Sequence, residues 1–168
     1  MPTLYALPYD ISVTGFYFED AEDYAIKAKV CRNDFGCVVE EFEIHFIDGE
    51  EIDCALAKAW GLYQSSFQQY LDAVDTWEGH QKRRYIVAVG ECGYDFDPDN
   101  DDPDLFDVDL YEVDSLKELA ERFVDDGLFG EIPDRFACYI DYHAIARDLA
   151  CDYAMIDIAG ERYAYRCA

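Results

Sequence analysis

Apolar and polar positions along this chain change period several times, and each change predicts an element. Thr3–Leu7 and Ser12–Phe18 read as short strands. Asp20 supplies an N-cap for a helix to about Cys31, with Tyr24, Ala25 and Ala28 on one side. Lys27, Lys29 and Arg32 fall near its end, where the helix dipole favours cations. The period then drops to two. Phe42, Ile44 and Phe46 alternate with Glu41, Glu43 and His45, which predicts a strand over Val38–Ile47 with one apolar and one acidic face. Asp48 opens a second helix, with Glu51 three residues on and a stripe of Ile52, Ala55, Leu56, Ala59 and Trp60 that Gly61 closes. A third helix runs from about Ser66 to Glu78 on Phe67, Tyr70, Leu71, Val74 and Trp77, with Gly79 at C′.

His80–Arg84 is the one basic knot and marks the passage into the C-terminal half. Tyr85–Val89 reads as a short apolar strand, and the Asp-rich stretch Asp95–Asp104 as a loop by its prolines and asparagine. In Leu105–Val113 the period is two again, with Phe106, Val108 and Leu110 set against Asp107, Asp109 and Tyr111. Ser115 and Glu118 form a capping box for a helix carrying Leu116, Leu119, Ala120, Phe123 and Val124, which stops at Gly127. A turn with Pro133 leads to Phe136–Ile140. Asp141 caps a last helix with Tyr142, Ile145, Ala146 and Leu149 inward, and 153–158 with 162–167 make a hairpin around Ala159-Gly160. The expected fold class is α+β, an elongated acidic protein of small mixed sheets and helices. It divides into an N-terminal α+β module, 1–80, and a C-terminal α+β module, 81–168.

Charge changes this picture. The chain has 38 Asp and Glu against 13 Lys and Arg, a formal net charge of −25 on 168 residues. Such repulsion usually goes with disorder, but 51% of the residues are hydrophobic and 16% aromatic, enough to bury a core. Duplex DNA carries one charge per roughly 1.7 Å of axis, so this excess matches roughly 40 Å of duplex, about a dozen base pairs. The surface repels nucleic acid and acidic lipid and attracts what binds DNA. The plainer readings are a halophile-type solvated surface or simple solubility. The first ten residues lack the basic and apolar regions of a signal peptide, and no apolar run approaches the ~20 residues that span a bilayer. A soluble, cytoplasmic protein is expected. The seven cysteines form no CxxC pair and are read as reduced thiols.

Conventional chemistry finds little support. Asp95, Asp97, Asp99 and Asp101 fall at positions 1, 3, 5 and 7 of a calcium-loop register. Asn100 stands where that loop needs Gly, Pro103 holds position 9, and Phe106 stands where it needs a bidentate Glu. The three histidines have no partner at zinc-ligand spacing. Asp141 and His143 point different ways at i,i+2 on a helix. No phosphate loop, nucleophile elbow or zinc helix is present. The expectation is no catalytic residue, no metal and no cofactor.

The acid is distributed unevenly. Tyr85–Leu116 holds 11 acidic residues and Asn33–Ala57 holds eight, with no Lys or Arg in either segment. An ordinary soluble face interleaves both signs. Outward carboxylates on a strand repeat at about 6.6–6.8 Å, and proteins that bind DNA nonspecifically read mainly charge and spacing. The candidate acidic surface imitating DNA is Glu41, Glu43, Glu50, Glu51, Asp95, Asp97, Asp99, Asp101, Asp102, Asp104, Asp107, Asp109, Glu112 and Asp114. Two other classes stay open: an acidic module that sequesters basic DNA-binding or nucleoid proteins, and a small metal-dependent enzyme using the Asp cluster.

The segment GEIPDRFACYIDYHAIARDL, Gly130–Leu149, resembles the C-terminal signature of the ArdA antirestriction proteins. The matching elements are Gly130-Glu131-Ile132-Pro133, Tyr139-Ile140-Asp141-Tyr142, Ala144 and Arg147-Asp148-Leu149, and the Gly127-Leu128 helix exit is also similar. The resemblance implies a non-enzymatic DNA mimic carried by mobile genetic elements. It implies occupation of the DNA-binding groove of Type I restriction-modification enzymes, blocking restriction and often modification. It also implies a homodimer joined through the C-terminal part. Ile132, Phe136, Tyr139, Ile140 and Tyr142 are mostly apolar and are the expected dimer interface.

Overall fold

Three antiparallel strands open the fold: β1 (Thr3–Pro8), β2 (Phe16–Phe18) and β3 (Phe42–Asp48), in the order β2-β1-β3. This is seen in a computed structural model, which describes residues 1–98 and 100–167. Leu4 stands opposite Phe18 on one side and Phe46 on the other, so Leu4 and Ala6 are sealed between neighbours at 0% exposure. The turn into β2 passes so close to β1 that a Cβ on Gly15 would lie 2.2 Å from the Ala6 carbonyl oxygen, which leaves room only for hydrogen. β2 is shorter than the expected Ser12–Phe18. Asp10 instead organises a turn there, accepting from the Ser12 amide at 3.0 Å and the Ser12 hydroxyl at 2.7 Å.

The helices α1 (Ala21–Val30), α2 (Glu51–Trp60) and α3 (Phe67–Thr76) follow. Asp20 caps α1 as expected, accepting from the Asp23 amide at 2.7 Å. Asp48 does not open α2. It ends β3, and Glu50 takes the N-cap position. Gly61 closes α2 at φ 63°, a left-handed geometry that favours glycine. Gly79 is not a C′ residue, because α3 stops at Trp77 and Gly79 starts α4 (Gly79–Tyr85).

Tyr85–Val89 is a helix and not a strand. α4 runs on into a π-helical turn, Ile86–Glu91, in which Ile86, Val87 and Ala88 are all buried. A short apolar run without alternation fits a buried helix as well as a buried strand. The capping box at Glu78 and Gln81 starts the helical path. A 3₁₀ turn, Pro103–Leu105, ends this first unit, Met1–Phe106.

The second unit, Asp107–Ala168, holds β4 (Val108–Glu112), α5 (Leu116–Asp125), α6 (Asp134–Ala137), α7 (Tyr142–Leu149), β5 (Ala154–Ile158) and β6 (Glu161–Cys167). Its antiparallel sheet runs β4-β6-β5. Val113, Leu119, Phe123, Tyr153 and Ala164 form its core. Ser115 and Asp141 cap α5 and α7 as expected. The β5–β6 turn is the expected Ala159-Gly160, both left-handed at φ 55° and 81°, which suits a hairpin. The two units divide at 106/107, so the N-terminal module extends past residue 80, and 80/81 falls inside α4. The fold class is the expected α+β, built here from seven α-helices and two three-stranded sheets among the described residues.

Cys31, Cys37, Cys54, Cys138 and Cys151 are free thiols, but Cys92 and Cys167 are each disulfide-bonded. That corrects the reading of all seven as reduced, since an odd count does not exclude a bridge. Among the described residues no helix is long and apolar enough to cross a membrane.

Candidate functional site

The Asp-rich loop is held from inside by its apolar residues. Phe96 packs edge-on against Tyr85 and Trp77, with ring centroids 5.0 and 5.7 Å away, and Pro103 is buried. Phe106 lies against Tyr94 and Phe96 at 5.8 and 5.7 Å. With these side chains turned inward, Asp95, Asp97, Asp101, Asp102 and Asp104 are left on the outside, and each is exposed. The loop also folds on itself. The Asp97 amide donates to the Asp101 carboxylate at 2.8 Å, and the Asn100 side-chain amide donates to the Asp97 carboxylate at 2.6 Å. Position 12 of the calcium register, Phe106, is spent on ring contacts, and a π-helical turn precedes the loop where a strand was expected. Among the described residues no group of three or more His, Cys, Asp or Glu is placed to hold a metal ion. Asp99 lies outside the described residues.

Around β3 the expected alternation is present. Phe42 and Ile44 are buried while Glu41 and Glu43 are exposed. Gln64 fixes the approach to this strand: its side-chain oxygen accepts from the Phe42 amide at 3.0 Å, and its nitrogen donates to the Glu40 carbonyl at 2.8 Å. Glu50 and Glu51 are exposed at the start of α2, where the helix dipole favours negative charge. Asp53, also in the Lys- and Arg-free segment 33–57, is not on the surface. It is buried beside Lys82.

In the second unit Asp107, Glu112 and Asp114 are exposed. Asp109 is not an outward carboxylate like the others. Arg166 Nε donates to it at 3.0 Å and the Tyr153 hydroxyl contacts it at 3.3 Å. Tyr111, expected outward with it, packs against Phe123 at 5.3 Å, so the Asp109–Tyr111 face is the one that α5 and Tyr153 cover. Burial pushes the Tyr153 phenol up to about 12, with the Asp109 charge adding to the effect.

The expected interface residues divide into two groups. Ile132, Ile140 and Tyr142 line one groove of about 680 Å³, together with Val124, Pro133 and Ala137. Phe136 and Tyr139 stand out into solvent at 49% and 80% exposure, as do Leu128 and Phe129 at 59% and 54%. α7 is strongly amphipathic yet buries none of its residues.

Several cations form ion pairs inside the fold, one of them buried. Lys27 pairs with Asp23, Lys82 with Asp53, Lys117 with Glu121, Arg122 with Asp126 and Arg166 with Asp109. Each of these pairs neutralises a carboxylate within its own unit. Sequence reasoning missed the Gln64 clamp and the Lys82–Asp53 pair, whose members lie 22 to 29 residues apart and give no local signal.

No curated protein matches the chain. The family model for the antirestriction protein ArdA matches residues 16–161, most of both units and the whole acidic loop. The chain belongs to the ArdA family of antirestriction proteins.

Proposed function

We propose that this chain inhibits Type I restriction-modification enzymes by occupying their DNA-binding groove as a mimic of duplex DNA. Antirestriction is the activity that the family's name gives, and in this reading it is achieved by binding alone. The observation that carries the mechanism is the sorting of charge. The 32-residue segment Tyr85–Leu116 contains no cation, and its loop turns Phe96, Pro103 and Phe106 inward while presenting carboxylates to solvent. A groove that binds phosphates gains affinity from many contacts at once, so an array of carboxylates on a folded support can compete for it.

The active species in this account is a cytoplasmic homodimer joined through the second unit. The exposed apolar side chains of Leu128, Phe129, Phe136 and Tyr139, next to the groove lined by Ile132 and Ile140, support that contact. Displacement of a labelled duplex from a purified Type I methyltransferase core by the full chain tests the reading. Failure to displace at a large molar excess would contradict it.

A further inference from the structure

We infer that α4 fixes how the Asp95–Asp104 loop is presented, with Gln81 and Arg84 as positioning residues. This inference rests on the proposed docking of the acidic surface into a basic groove. Gln81 uses both ends of its amide. Its oxygen accepts from the Glu78 backbone N–H at 2.9 Å, completing the cap of α4, and its nitrogen donates to Asp104 Oδ2 at 3.0 Å. The partners dictate this orientation, because a backbone N–H only donates and a carboxylate only accepts. His80 Nε2 stands 3.2 Å from the other oxygen of the same carboxylate. One turn beyond Gln81, Arg84 Nη2 donates to the Phe106 carbonyl at 2.7 Å. The exit of the loop is therefore pinned at two places by one short helix.

The pinning opposes a definite force. Neighbouring carboxylates repel, and a charged segment left alone extends. An array held in one arrangement before binding loses less conformational freedom on docking, and so binds more tightly than the same charges on a loose chain.

Charge and position make opposite predictions for two substitutions, which allows a clean test. Gln81→Glu keeps an acceptor for the Glu78 amide, since Glu is a normal capping-box residue at that site. It also sets a carboxylate against Asp104 and makes the chain more negative. Arg84→Gln likewise removes a positive charge. If charge alone governs binding, both variants should bind a basic partner more tightly. If α4 positions the loop, both should bind about tenfold more weakly, the order expected for losing a hydrogen bond to a charged group. The measurements use the full chain: duplex displacement from a Type I methyltransferase core, affinity for an oligolysine peptide, and amide hydrogen exchange over residues 95–106, with circular dichroism to verify the fold. Faster exchange in the loop together with weaker binding of both partners supports the inference. Unchanged exchange, or binding as tight as the parent's, overturns it. Should the parent itself fail to displace duplex, the docking reading falls, and the exchange and oligolysine measurements still decide whether α4 positions the loop.

Discussion

Lys82 Nζ lies 2.7 Å from Asp53 Oδ1, and the two residues are only 7% and 4% exposed. This pair joins α4 to α2, and the adjacent Tyr70 hydroxyl donates to the Asp53 carbonyl at 3.0 Å. In a chain with so few cations, one of them is committed to the interior. Lys82→Ala leaves a buried carboxylate without its counter-charge and should cost about 3–5 kcal/mol, whereas Lys82→Met combined with Asp53→Leu should recover most of that loss. Chemical denaturation of the three proteins checks this; a double variant no more stable than Lys82→Ala would contradict it.

Tyr24 offers the opposite case. Its ring packs among Phe18, Phe42 and Phe67, but among the described residues its buried hydroxyl has no hydrogen-bond partner, and burial raises its pKa. Tyr24→Phe keeps the ring contacts and removes an unmet polar group, so it should stabilise the first unit by about 1 kcal/mol. A lower denaturation midpoint would show that the hydroxyl is satisfied.

Alkaline pH should unfold the protein through its buried phenols. Burial holds the Tyr70 and Tyr85 hydroxyls well above the normal range, and Tyr153 is pushed up to about 12. The fold thus favours the neutral phenol, while the unfolded chain ionises near pH 10. For Tyr153 this contribution is complete below about pH 10 and declines as pH rises from 10 towards 12. A spectrophotometric titration should show Tyr70, Tyr85 and Tyr153 ionising above the normal phenol range, together with loss of structure. A single smooth phase with the fold retained would contradict this.

Association is testable without a large effect on folding. Because Phe136 and Tyr139 are 49% and 80% exposed, a charge at either position is tolerated within the monomer. An isologous contact would meet that charge twice, so Phe136→Glu and Tyr139→Glu should shift dimer to monomer with unchanged circular dichroism. Sedimentation at tens of micromolar, a range suited to a weak interface, decides the point. A parent that is already monomeric there would remove the dimer from the account.

What the sequence made legible was local. The caps at Asp20, Ser115 and Asp141, the alternation of Phe42 and Ile44 with Glu41 and Glu43, and the Ala159-Gly160 turn each rest on residues a few positions apart. Tyr85–Val89 was not legible, because a short, mostly buried apolar run carries no period to separate helix from strand. Asp109 was read as outward from alternation alone. Its partners Tyr153 and Arg166 arrive from 44 and 57 residues away and cover the face that the pattern left to solvent. The exposure of the loop carboxylates followed from composition, but the α4 residues that hold the loop did not, because the link from Gln81 to Asp104 spans 23 residues.

If the carboxylates act collectively as a stand-in for phosphate, competition at a Type I methyltransferase core will show it. The decisive comparison is between the parent and a variant with Asp95, Asp97, Asp101, Asp102, Asp104 and Asp107 all changed to Asn, leaving Asp109 to its bond with Arg166. Single changes within the set should each weaken displacement of duplex only slightly, because exposed charges contribute modestly one at a time. The sixfold variant, with its fold verified, should displace duplex far less well and show a shallower dependence on salt. A folded sixfold variant that competes as well as the parent, with the same salt dependence, would contradict the account.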